Sequence, residues 1–211
     1  MQKQSFCLKL IPVLFLAMFG TLQAQKYSFD NVLSMRLNSS GAIMNGNEVS
    51  GYFFFYNVEK AEKGKMNYLL NILDNNLNKV ASKPITDDKG ILLKEGIYNG
   101  KSLMLKFFNN KEDKYTFRQY DLTGEKKGTK TLPVSRLDYA AFGQQQQDGE
   151  GDEMQTLFAV PGKGYVNYSN DTEKGALSQS FYTIDFIPED ESTTKGWKYI
   201  SKPKEKVWEI G

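Results

Sequence analysis

Aromatic and β-branched residues come in short clusters along this chain, separated by Asn, Asp, Gly and Lys. Apolar positions at helical spacing are scarce, so the pattern predicts strands and turns. Val49 to Val58 (VSGYFFFYNV) is a strongly β-forming run. Tyr68 to Leu73 and Lys79 to Ile85 follow it, joined by Asp74-Asn75-Asn76-Leu77-Asn78, a run of turn-forming residues.

The same order then returns. Ile91 to Tyr98, Ser102 to Phe108, Tyr115 to Tyr120 and Thr129 to Val134 read as four more strands. Asn99-Gly100 turns the first pair, and Asp121-Leu122-Thr123-Gly124-Glu125 turns the last. Tyr68 matches Tyr115, Asp74 matches Asp121, Lys79 matches Lys126 and Ile85 matches Leu132, all at one offset of 47 positions. A more divergent third copy runs through Met154 to Val160, Gly164 to Tyr168, Phe181 to Phe186 and Trp197 to Ser201. A polar turn from Pro188 to Glu191 precedes its last strand.

Four short strands per unit, repeated with a period near 50 residues, point to a blade-like antiparallel meander. The expected fold is all-β and β-propeller-like, with units at about 31–88, 89–143 and 154–203. The alternative is a β-sandwich or barrel. Three units fall short of the roughly 4–8 blades of a closed propeller, so an incomplete one is expected. Lys206-Val207-Trp208-Glu209-Ile210-Gly211 reads as the opening of another strand. Open strand edges would pair with another copy or a protein partner. Gln144 to Glu153 (QQQQDGEGDE) interrupts the repeat and reads as a flexible surface insertion.

The first 24 residues stand apart from this pattern. Lys3 and Lys9 are followed by the apolar run Leu10 to Gly20 and then Thr21-Leu22-Gln23-Ala24. Basic, apolar, then small is the order of a secretory signal peptide. The run is too short for a span, which needs about 20 residues, so no integral membrane segment is expected after cleavage. The expected location is secreted or periplasmic. Cys7 is the single cysteine and precedes the apolar run, so residues 25–211 form a domain without disulfides or thiolate chemistry. Without Lys3 and Lys9 the chain carries 25 basic and 25 acidic residues, which gives no electrostatic reason to expect nucleic acid as a partner.

Histidine is absent. Ser-His-Asp, Cys-His and His-zinc mechanisms therefore cannot be assembled from this chain. Carboxylate pairs remain possible for glycoside hydrolysis, with Glu95, Asp121, Asp138 and Asp185 available, but no spacing singles out two of them. Asp74 and Asp121 already have a role as turn residues. Asp148, Glu150 and Asp152 could face a calcium ion, yet they lack the ligand series of a calcium loop and read as solvated acids. Tyr52, Tyr56, Tyr98, Tyr165, Tyr168, Trp197 and Trp208 could stack on sugar, although rings at strand spacing more often pack in a core. No catalytic, cofactor-binding or metal residue is assigned, and no cofactor is expected.

Gln23-Ala24-Gln25, Gly41-Ala42-Ile43-Met44, Gly51 to Tyr56 (GYFFFY) and Leu69 to Asn78 (LLNILDNNLN) together resemble an uncharacterised family of secreted bacterial proteins, a domain of unknown function. The resemblance is best over the N-terminal two thirds, and the family's members are longer than this chain. It implies export and repeated β-structure and brings no catalytic residues. The expected function is a non-catalytic binding or scaffolding module of the cell envelope, with protein, self or glycan as partner. A secreted carboxylate-dependent hydrolase acting on glycans is the rival.

One prediction follows from the N-terminus. Expressed in a Gram-negative cell, the chain is cleaved after Ala24, leaving Gln25 at the new N-terminus. N-terminal mass spectrometry that finds Met1 or Gln2 on the bulk of the exported protein contradicts it.

Overall fold

The computed structural model describes residues 26–36, 39–109, 111–135, 155–173 and 176–201. The leader 1–24 with Cys7, the insertion 144–153, Asp138 and residues 207–210 with Trp208 lie outside the described residues.

The described chain forms twelve strands in three four-stranded antiparallel sheets. The first sheet holds β1 (Ser40–Asn45), β2 (Glu48–Lys60), β3 (Lys65–Asp74) and β4 (Lys79–Asp88). The second holds β5 (Ile91–Tyr98), β6 (Leu103–Asn109), β7 (Lys114–Tyr120) and β8 (Lys126–Pro133). The third holds β9 (Leu157–Val160), β10 (Gly164–Glu173), β11 (Ala176–Pro188) and β12 (Trp197–Ile200). Spatial order follows chain order in every sheet, so each is a simple meander. The leading strands β1, β5 and β9 lie side by side, as do the inner strands of neighbouring propeller blades. The architecture is an incomplete, propeller-like stack of three meanders and not a closed barrel.

The strand missing from the sequence reading is β1. Its segment, SGAIMN, contains one β-branched residue and no aromatic ring. It is a strand because the two-residue turn at Gly46-Asn47, with Gly46 at φ 62°, folds it back along β2, pairing Ser40 with Phe54 through Asn45 with Glu48.

Packing follows from strand parity, since alternate side chains face opposite ways. Strand β6 is buried at every position. Its Leu103, Leu105 and Phe107 join Phe53, Phe55, Tyr68, Leu70 and Ile72 in the core between the first and second sheets. Its Met104 and Phe108 join Phe117, Leu157, Tyr165 and Ile187 in the core between the second and third. Each fully buried aromatic ring contributes about 1.5–3 kcal/mol by leaving water. The Phe53 ring lies so close to the first core's glycines that a Cβ on Gly96 would meet its Cζ at 2.3 Å and one on Gly41 its Cε1 at 2.7 Å. Bare backbone at those two positions lets β1 and β5 approach that ring.

Each interface also carries a charged clip. Between the first and second sheets, Arg118 on β7 pairs with Asp87 on β4 and lies 4.9 Å from the Phe107 ring centroid. Between the second and third, Glu95 on β5 accepts hydrogen bonds from the Thr156 and Leu157 N–H groups at 2.9 Å and lies 3.3 Å from the Lys106 ammonium. Lys106 is only 3% exposed and sits 4.3 Å from the Tyr115 ring centroid. The far face of the first sheet is covered locally by the chain itself, through Phe29 against Phe54 (4.7 Å) and Tyr56 (5.4 Å).

The repeat holds at the level of single hydrogen bonds. Asp74 Oδ1 accepts the N–H groups of Asn76 (2.9 Å) and Asn78 (2.8 Å). Asp121 Oδ1 accepts those of Thr123 (2.9 Å) and Glu125 (3.0 Å), at the matching positions. The left-handed residues match too: Leu77 at φ 61° and Gly124 at φ 79°. In the third unit Asp190 Oδ1 accepts the Ser192 N–H at 2.8 Å, within a longer connection.

Two predictions follow. Glu95→Ala strips the Thr156 and Leu157 N–H groups of their acceptor and the buried Lys106 of its carboxylate partner, so urea unfolding should show a loss of about 3–5 kcal/mol. Adding Lys106→Met should recover part of that loss, because no buried cation then remains unpaired; strictly additive losses would contradict the clip. The second concerns acid. Partial burial alone would raise the Asp121 carboxyl, but hydrogen bonds from Thr123, Lys127 and the Glu125 backbone outweigh it and hold the group at about 2. A carboxyl depressed in the folded state adds stability that is complete above its ordinary value near 3.8 and lost as pH falls toward 2. Asp121→Asn should therefore remove about 1 kcal/mol at neutral pH, after allowing for solvent screening, and flatten the acid limb between pH 4 and 2. An unchanged acid limb contradicts it.

Candidate functional site

Where the second and third sheets meet, their turns leave a groove of about 640 Å³. The β5–β6 turn supplies Lys101 and Ser102, β7 and β8 supply Phe117, Gln119 and Lys130, and the end of β11 with its following turn supplies Ile187 to Ser192. The volume lies within the range of roughly 300–1,000 Å³ typical of ligand clefts. Met104, Phe117 and Ile187 give it an apolar floor, and charged side chains from both sheets form its rim.

A buried polar network fixes the inner wall. Asn99 builds the β5–β6 turn by accepting the N–H groups of Lys101 (2.9 Å) and Ser102 (3.0 Å) on its Oδ1. Its Nδ2 donates to Glu189 Oε2 at 2.6 Å, joining the second sheet to the third. Ser102 Oγ donates to the same carboxylate oxygen at 2.8 Å and lies 2.7 Å from the Tyr165 hydroxyl. The Tyr165 hydroxyl donates to the Ser102 carbonyl at 2.6 Å. Gln119 Nε2 bridges Ser102 Oγ (2.9 Å) and the Glu189 carbonyl (3.0 Å).

The network leaves its side chains committed to one another. Ser102 is 2% exposed and already bonded on several sides, so its oxygen is not open to an incoming electrophile. Burial raises the Tyr165 phenol, with Glu189 adding to the effect against the opposing Ser102 hydrogen bond, so Tyr165 stays protonated as a donor. The rim carboxyl Asp121 sits at about 2, and the Ser192 hydrogen bonds lower Asp190. Both are ionised at neutral pH and committed to their own turns. Lys127 pairs with Asp121 (3.0 Å) and Glu125 (3.2 Å).

The carboxylates singled out in the sequence are dispersed. Glu95 holds the start of β9, Asp121 and Asp74 cap turns, and Asp185 is buried on β11 in register with Asn167 and Lys198. Burial raises the Asp185 carboxyl, against the pull of Lys198 and Lys130. Among the described residues, no cluster of three or more His, Cys, Asp or Glu could hold a metal ion. The aromatic candidates also separate. Tyr56 and Tyr165 are core, while Tyr52, Tyr98 and Tyr168 are half-buried. Trp197 is 52% exposed. The sequence reading missed Gln119, Ser102 and Glu189 as site residues; the turns at Asn99-Gly100, Asp121 to Glu125 and Pro188 to Glu191 were the local signals near them.

No curated protein and no solved structure matches this chain. A family model does match, over residues 1–210, and the chain therefore belongs to the family of unknown function DUF6770.

Proposed function

We propose that this chain is an exported, non-catalytic binding module of the bacterial cell envelope, and that its recognition surface is the groove between the second and third sheets. One observation carries the reading: the groove's inner wall is held rigid by the Asn99–Ser102–Gln119–Glu189 network. Fixed donors and acceptors over an apolar floor favour binding, because little ordering remains to be done when a ligand arrives.

A glycan hydrolase would need one groove carboxyl held protonated near neutral pH as the acid, with a second ionised beside it. Asp121 and Asp190 are both lowered, and Glu189 is bonded to Asn99 and Ser102, which weighs against that rival.

Co-sedimentation with a cell-envelope fraction tests the proposal. The purified chain should pellet with the polysaccharide-containing fraction and release no reducing sugar from it. Gln119→Leu keeps the bulk but loses the amide that bridges Ser102 and Glu189, and should weaken pelleting about tenfold, or ~1.4 kcal/mol. Circular dichroism establishes that the variant is folded. Sugar release that Asp121→Asn abolishes would overturn the non-catalytic reading. Pelleting indifferent to Gln119→Leu would remove the groove from it.

A further inference from the structure

A second, smaller cavity lies where the segment ahead of β1 meets β2, β3 and the start of β5. Asn57 on β2 ties that segment down. Its carbonyl accepts the Leu33 N–H at 2.9 Å, its own N–H donates to the Ser34 carbonyl at 3.0 Å, and its Nδ2 donates to Ser34 Oγ at 2.9 Å. The cavity holds about 110 Å³ over a floor that includes Phe55 and Ile91. It is too small for the ligands that fill clefts of roughly 300–1,000 Å³, and it matches the liquid volume of about four water molecules.

The lining is one-sided in charge. Arg36 and Lys89 are its charged residues, both exposed at the rim, and no carboxylate lines it. Among the described residues neither cation has an ion-pair partner. Burial pushes the Tyr68 phenol up to about 12, with Asp87 and Asp88 adding to the rise and Arg36 opposing it. Those two acids are already paired, Asp87 with Arg118 and Asp88 with Lys65. The Tyr68 hydroxyl donates to the Asp88 carbonyl at 2.8 Å. Ser34 Oγ accepts from Asn57, which leaves its own hydrogen to donate. Ser39 is the sharper signal. It is 6% exposed, it lines the cavity, and among the described residues its hydroxyl has no hydrogen-bond partner. A buried hydroxyl with nothing to bond is costly, so one that opens on a cavity points to an occupant. Water would satisfy the hydroxyl, but it would not answer two cations facing one small space without a counter-charge.

We propose that this cavity is a binding site for a small oxyanion of phosphate or sulfate size, held by Arg36 from the segment ahead of β1, Lys89 from the β4–β5 turn and the Ser34 and Ser39 hydroxyls. The guanidinium of Arg36 can meet two of the anion's oxygens at once, while Lys89 acts as a point charge. The anion joins the leading segment to the turn between the first two sheets, so its binding stabilises the folded chain. A free ion and the ester end of a larger molecule share this chemistry, and the test separates them.

Thermal unfolding of the full chain, purified as the cell processes it, tests this in about 0.1 to 50 mM phosphate or sulfate, with chloride holding the ionic strength constant. The midpoint should rise and saturate, with half-saturation near about 1 mM. Arg36→Met and, separately, Lys89→Met should each weaken binding at least about tenfold, and Ser39→Ala about threefold. Lys83→Met, at an exposed lysine of β4 that does not line the cavity, should leave it unchanged. Both cations are exposed, so the variants' midpoints in chloride alone should equal that of the parent chain, which shows that they are folded. A midpoint that never saturates, or one that rises equally in Arg36→Met and Lys89→Met, is the general effect of excluded salts and overturns the proposal. So does the absence of any rise. Glycerol phosphate and a glucose sulfate are the ester probes. An ester that binds at least as tightly as the free ion assigns the site to the end of a larger molecule, and one that binds more weakly assigns it to the free ion. None of these outcomes bears on the groove, whose test reads a different surface.

Discussion

A four-stranded meander cannot cover its own two faces, and that constraint organises the whole molecule. Each sheet here buries apolar side chains only by lying against another. The second sheet is packed on both faces by neighbouring sheets, and β6 is its most enclosed strand, buried from Leu103 to Asn109. Phe107 and Leu105 reach one way and Met104 and Phe108 the other. Removing β6 would strip both cores of a wall.

Apolar contact sets the sheets together but does not fix how they sit, because hydrophobic attraction has no direction. The polar clips supply direction. Arg118 with Asp87 fastens the first sheet to the second, and Glu95 with Thr156, Leu157 and Lys106 fastens the second to the third. Glu189 adds a second fastening at the groove by receiving Asn99 and Ser102. Each clip is costly when half-made, since a buried charge without its partner is penalised heavily. That penalty disfavours slipped arrangements in which the same apolar faces still touch.

How much of this was legible in the sequence depends on how local each feature is. Asp74 and Asp121 announced their turns because the carboxylate bonds its own neighbours two and four residues on. The fixed offset between them carried the repeat, and with it the three meanders. Strand β1 was not visible, because SGAIMN takes its β conformation from pairing with β2. Lys106 inside SLMLKFF is buried because strand pairing brings the Glu95 carboxylate and the Tyr115 ring to it. The groove was out of reach for the same reason. Asn99 and Glu189 lie 90 positions apart, and nothing near either residue points to the other.

The outer face of the third sheet shows what the clips do by differing from the clipped interfaces. It has the aromatic content of a buried blade face, with Phe158, Phe186 and Trp197 in register across it. Inside the chain, apolar area and directional bonds act together, and the tether between sheets raises their effective concentration. Apolar area without such bonds gives adhesion with little imposed registry. The groove wall has what that face lacks, donors and acceptors fixed in direction by the Asn99, Ser102, Gln119 and Glu189 bonds.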